Sequence, residues 1–210
     1  MKRYAFAALW VALFAQVGWV ILNRVVLHRS PGLDLTGALV TGFFVAFAAL
    51  YGRWRWMAVI ARVIMSADFL LSVGDRFGVL GSPGAPGVSW GDFGHFIAYT
   101  RSVNSFLPPN LAPTLAVLAT IAEVGLGVAL LLGVRPQFAA LGAASLLLIY
   151  GISMTISLPP AQQFHYFVYV LCAGMLALAT VDASALSVDK LVLWWRGRLA
   201  AHRPQSTASA

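Results

Sequence analysis

The sequence is poor in cysteine, in charge and in acids. One cysteine, Cys172, stands among 210 residues. A disulfide within the chain is therefore impossible, and no CxxC thiol pair exists. Any redox chemistry must use a bound cofactor or a partner. Charged residues make up only 10%, against about 25% in a soluble domain. Seven acids face fourteen Lys and Arg, a net +7. That excess is not a nucleic-acid signal, because the basic residues stand between apolar runs, where the positive-inside rule puts them. The four histidines never pair at i, i+3 or i+4, which gives no haem or metal set. There is no P-loop, no strand-to-helix GxGxxG and no nucleophile elbow.

What the chain has is apolar sequence. Apolar residues make up 60%, and the mean hydropathy is +0.82. Runs long enough to cross a bilayer recur along the whole length. The expected class is an all-α integral membrane protein, because a barrel would show short alternating segments. Six transmembrane helices are expected, over residues 4–22, 35–51, 56–76, 111–134, 137–158 and 164–181. The first follows Lys2 and Arg3 and reads as an uncleaved helix rather than a signal peptide. Pro31 and Gly32 mark the turn after it. Residues 77–110 form a long connection rich in Gly and Pro, with a short interfacial helix expected over 90–106. Residues 183–210 read as an amphipathic surface helix carrying Trp194 and Trp195, then a small polar end from Pro204. Cys172 reads as inert. Gly125, Gly127, Gly133 and Gly142 read as close helix-packing positions.

Six passes put both termini on one side. With the turns assigned accordingly, that side holds nine Lys and Arg against four on the other. The bias places both termini in the cytoplasm and the 77–110 connection outside the inner (plasma) membrane.

Charges inside the runs are costly in hydrocarbon and mark pairs or functional routes. Residues 56–76 carry Arg62, Asp68, Asp75 and Arg76, and residues 111–134 carry Glu123. Counting rise along antiparallel helices puts Arg62 and Glu123 at similar depth. They are expected to form a buried ion pair, serving either as a structural lock or as a proton relay or anion site. Asp68, roughly 9 Å further along, needs another partner, a water or a proton. A second cluster belongs to the outer ends: Asp75 and Arg76, then Gln162, Gln163, His165 and Tyr166, with His95 and Arg101 on the connection. Arg76, Asp75, Gln163 and His165 are candidates for a quinone or anion site. The alternative is that polar helix ends simply meet water and headgroups.

From about Met57 to Asp182 the chain resembles the DoxX/DoxD family of small membrane proteins. The resemblance rests on Arg62, Gly74 and Arg76, then on AEVGLGVALLLGVRPQ with Glu123 and Gly133, then on IYGISMTISLPPAQQFHYF. Ser66 stands where a stricter form of the pattern has Gly. The resemblance implies a four-helix membrane core over residues 56–182. Residues 1–55 would add two N-terminal helices. Some family members are subunits of a thiosulfate:quinone oxidoreductase. The implied function is a membrane subunit of a redox system, with quinone as cofactor and redox proteins as partner subunits. Two other classes stay open: a non-enzymatic anchor or assembly protein, and a small-solute or proton carrier using Asp68 and Glu123.

Overall fold

The apolar runs fold as helices, and no strand occurs among the described residues. The structure is a computed structural model that describes residues 1–28, 35–50 and 53–201. The expected turn at Pro31 and Gly32 and the polar end from Pro204 lie outside them. Helix α1 is Lys2–Ile21, prolonged by one wider turn, Leu22–Val26. Helix α2 is Leu35–Leu50, and α3 is Trp56–Arg76. Helix α4, Phe93–Val103, follows the Gly/Pro connection. A tight turn, Pro109–Leu111, leads into α5, Ala112–Leu132. Then come α6, Pro136–Ser157, α7, Pro160–His165, α8, Val168–Leu178, and α9, Val188–Ala201.

The boundaries follow local chemistry. Asp92 caps α4 by accepting the His95 amide at 2.8 Å, which satisfies an orphan donor of the first turn. That bond, followed by one with the His95 ring, holds the Asp92 carboxyl below its usual range. The cap therefore works fully above the ordinary carboxylate pKa and is lost as pH falls through the depressed value. Gly133 ends α5 in the left-handed region at φ 68°. Proline opens both α6 and α7, where a missing amide costs nothing.

Four helices are long and apolar enough to cross a membrane: Lys2–Val26, Trp56–Arg76, Pro109–Leu132 and Pro136–Ser157. Two of the six expected spans are shorter as apolar helices, Gly37–Leu50 and Val168–Leu178. The sixth run is not one helix. It breaks between α7 and α8, where Phe167 takes a left-handed φ of 41°. Gln16 of α1 supports the break by donating to the Phe164 carbonyl at 2.9 Å, and Trp19 stacks on the Phe164 ring at 4.6 Å.

Helix α3 packs chiefly on α5 and α6 on α8; α5 also meets α6, and α1 covers α8. Helix α4 lies across one end of α5 and α6. Small residues set the approaches. Gly127 faces Leu70, Gly142 faces Leu126, and Gly174 receives the Phe44 ring, where a Cβ would collide. Gly125 has nothing within 4 Å, so it is not a packing position as the sequence led us to expect. Ser66 donates to the Gly127 carbonyl at 2.8 Å across the α3–α5 contact. The outward faces are apolar: Leu118 and Ile121 on α5, and Leu148, Ile149 and Ile152 on α6, are all exposed. Continuous patches of this kind mark a surface covered by something other than water.

The expected Arg62–Glu123 pair does not form. Arg62 instead donates to the carbonyls of Ala183 and Leu186, at 2.9 and 3.0 Å, and so holds the segment leading into α9. The depth count failed because it set the starts of the two helices at opposite faces of a core ~30 Å thick, an alignment that the observed register does not keep. Ser66 sits beside Gly127 and Arg62 beside Gly133, so α5 is shifted along α3 by about seven residues, or roughly 10 Å. The shifted N-terminal end of α5 is where α4 packs. At the other end, the Arg135 amide donates to Asp189 at 2.7 Å, a second tie between the bundle and α9.

Candidate functional site

Helical spacing sets Asp68, Ser72 and Arg76 one turn apart on one side of α3. On α5, Thr120 and Glu123 share a face three residues apart. The antiparallel contact joins the two sets. Arg76 reaches Glu123 at 2.5 Å, with both side chains 2% exposed. It also donates to Thr120 Oγ1 at 2.9 Å and to Ser72 Oγ at 3.2 Å. Glu123 uses its other oxygen to accept the Tyr150 hydroxyl of α6 at 2.6 Å. The pair is thus a network across α3, α5 and α6. Aromatic rings cover its open side. The Arg76 guanidinium lies 3.7 Å from the Phe96 centroid and 5.4 Å from that of Trp90. A desolvated cation–ring contact contributes up to about 2 kcal/mol.

This network forms part of the wall of a cavity of about 690 Å³. Helices α3, α4, α5 and α6 and the α7–α8 junction all contribute to it. Most of the lining is apolar. The mouth includes Leu71, Leu118 and Ile149, which are also exposed on the outward helix faces. Asp68 lines the cavity as well. Its side chain is exposed and faces this space. Tyr99 and Tyr166 stand at the α4 side with ring centroids 6.2 Å apart. Burial and the neighbouring Tyr166, to whose hydroxyl Tyr99 donates, push the Tyr99 hydroxyl well above its ordinary pKa, so it stays neutral.

Asp75 closes this end. Its Oδ2 accepts the amides of Ser89 at 2.9 Å and Trp90 at 3.0 Å. That bond pair folds residues 77–92 back over the cavity, where Leu80, Gly87 and Trp90 join the wall. Gly91, at φ 72°, fits only because it has no side chain; a Cβ there would enter the Pro83 ring. Asp75→Ala is expected to lower the local opening free energy of this loop by about 2 kcal/mol. Hydrogen exchange at Ser89 and Trp90 measures it, and unchanged rates there would contradict the latch.

Of the four predicted ligand contacts, the cavity takes Arg76 and Asp75. Gln163 and His165 are absent from its wall. Gln163 is 5% exposed and buried elsewhere, and His165 packs edge-on against Tyr166. Tyr166 and Phe167, at the left-handed turn between α7 and α8, line the cavity in place of the two polar side chains. His95 and Arg101 are exposed and lie off the wall. Sequence reasoning missed Tyr150, Thr120 and Ser72. Ser72 was findable as the residue one turn before Arg76, and Thr120 as the polar residue one turn before Glu123. No family model, curated protein or solved structure matches the chain.

Proposed function

We propose that the chain is a six-span membrane protein of DoxX-like kind, the membrane subunit of a redox system whose cavity binds a quinone. Helices α2 and the α7–α8 pair would complete the passes, with both termini on the cytoplasmic side by the distribution of Lys and Arg. Helices α3, α5, α6 and α8 would be the four-helix core that the resemblance implies.

One observation carries the ligand reading. The cavity is mainly apolar, its lining includes residues of the outward apolar faces, and polar side chains from α3, α4, α5 and α6 share its wall. That is the shape of site that takes an apolar ring with a few hydrogen-bonding atoms. A quinone could reach it from the bilayer without crossing water. Tyr99 donates to the Tyr166 hydroxyl, which leaves the Tyr166 hydroxyl as a neutral donor suited to a carbonyl oxygen. Charge argues against a sulfur anion in the same space. Asp68, Asp75 and Glu123 line the wall against the single cation Arg76, which Glu123 already neutralises. Any sulfur compound would have to deliver electrons through a partner subunit.

Purification from the native membrane in mild detergent, with mass spectrometry of lipids and co-purifying proteins, tests the reading. Bound quinone or a redox partner is expected. Phospholipid alone, with no companion protein, would sink it. A carrier function draws on one further observation: the helix break at Phe167 borders the cavity that holds Asp68, and broken helices beside intramembrane acids mark many transport sites. Solute flux in liposomes that disappears in Asp68→Asn would favour that reading instead.

A further inference from the structure

Three carboxylates line the cavity, and two of them are supplied with donors. Glu123 receives Arg76 and the Tyr150 hydroxyl. Asp75 receives two backbone amides on Oδ2, while its Oδ1 is buried without a partner. Asp68 makes no hydrogen bond or ion pair among the described residues, although it lies on the wall of the same cavity. A second unused atom is the Arg76 Nε, also buried. Of these groups only Asp68 has its carboxylate open to the cavity, since the Asp75 and Arg76 atoms are buried from it.

The groups around Asp68 cannot supply what it lacks. From α5, Glu123 is the charge that acts on it, and it has the same sign. Asp75, also on α3, adds another acid. Arg76 is committed to Glu123, Thr120 and Ser72. Tyr150 of α6 donates its proton to Glu123. Tyr99 of α4 and Tyr166 at the α7–α8 junction are neutral hydroxyls bonded to each other, and α8 lines the cavity with Val168 and Leu171 alone.

A carbonyl ligand changes the requirement. Its oxygens only accept hydrogen bonds, and an ionised carboxylate also only accepts. Facing each other they repel, and an apolar ring would strip the carboxylate of water without replacing it. A protonated Asp68 instead donates its O–H to the carbonyl. We infer that Asp68 is the proton-exchanging group of the cavity, and that a carbonyl ligand enters with one proton taken up by Asp68. The inference rests on the quinone reading of the cavity. The balance is simple: carboxylate, proton and ligand give a carboxylic acid hydrogen-bonded to the ligand, with no electron moved.

Isothermal titration of ubiquinone-1 into the full-length detergent-solubilised protein tests it. Titrations in two buffers of different ionisation heat count the protons bound. Where Asp68 is ionised in the ligand-free protein, about one proton should be taken up per quinone, and Kd should weaken about tenfold per pH unit. Asp68→Asn keeps a donor and loses the proton site, so it should bind with no proton uptake and a flat pH profile. Gel filtration of the variant checks that it is folded, and the wild-type proton count decides the matter in any case. Wild-type binding with no proton uptake and constant Kd from about pH 5 to about pH 9 would overturn the inference and leave the quinone reading standing. Uptake that persists in Asp68→Asn would overturn it as well. No binding by the wild type at any pH would overturn the quinone reading itself, and this inference with it.

Discussion

Glu123→Ala is expected to destabilise the protein by about 3–5 kcal/mol, the cost of leaving a buried charge without its partner. The stranded group is Arg76, which is 2% exposed. Its bonds to Thr120 and Ser72 would remain, but both partners are neutral. The Tyr150 hydroxyl would lose its acceptor at the same time. Thermal melting in detergent, read by gel filtration, measures the loss. The double variant Arg76→Met, Glu123→Leu is expected to recover most of it, because replacing a buried pair with apolar residues of similar volume is often neutral. That recovery would separate the pair's structural role from any role in ligand binding. A single Glu123→Ala variant as stable as wild type would contradict the network.

Arg62→Ala is expected to release the C-terminal helix. Two charge-assisted bonds hold the carbonyls of Ala183 and Leu186, and losing both costs about 3 kcal/mol. Helix α9 should then be cut by trypsin at Lys190 much faster than in the wild type. Gly133→Val should give the same result by another route. A side chain there would strike the Arg62 guanidinium and Ser187, and the left-handed backbone disfavours a branched residue. The two variants should not add, since they break one contact. A double-mutant cycle between Arg62 and Glu123 should show no coupling, while one between Arg76 and Glu123 should. Coupling at Arg62 and Glu123 would contradict the observed helix register.

The positions of the helices were legible because membrane spans are set by long apolar runs. Helix α3 spans Trp56–Arg76 as expected, and the ends of α5 and α6 lie within a few residues of the predicted ones. The presence of buried charge was legible too, since Arg62, Arg76 and Glu123 are all 2% exposed. Their pairing was not. Pairing depends on how far one helix slides along another, and composition does not record that. Ser66 against Gly127 fixes the slide, and it carries Glu123 from Arg62 to Arg76. The break at Phe167 was equally hidden. A phenylalanine at positive φ has no sequence signature, and at this turn Tyr166, not His165, lines the cavity.

Photoaffinity labelling with an arylazido quinone is the most direct test of the cavity as a quinone site. The purified protein would be labelled with and without excess unmodified quinone, and the labelled peptides mapped by mass spectrometry. Saturable, competed labelling is predicted on the cavity wall, at α3 near Leu71, at α6 near Tyr150 or at the α7–α8 junction near Tyr166. It should be largely lost in Ala122→Trp, which fills the space from α5. Labelling that does not saturate, or that falls on α1 and α2 and ignores Ala122→Trp, would contradict the account.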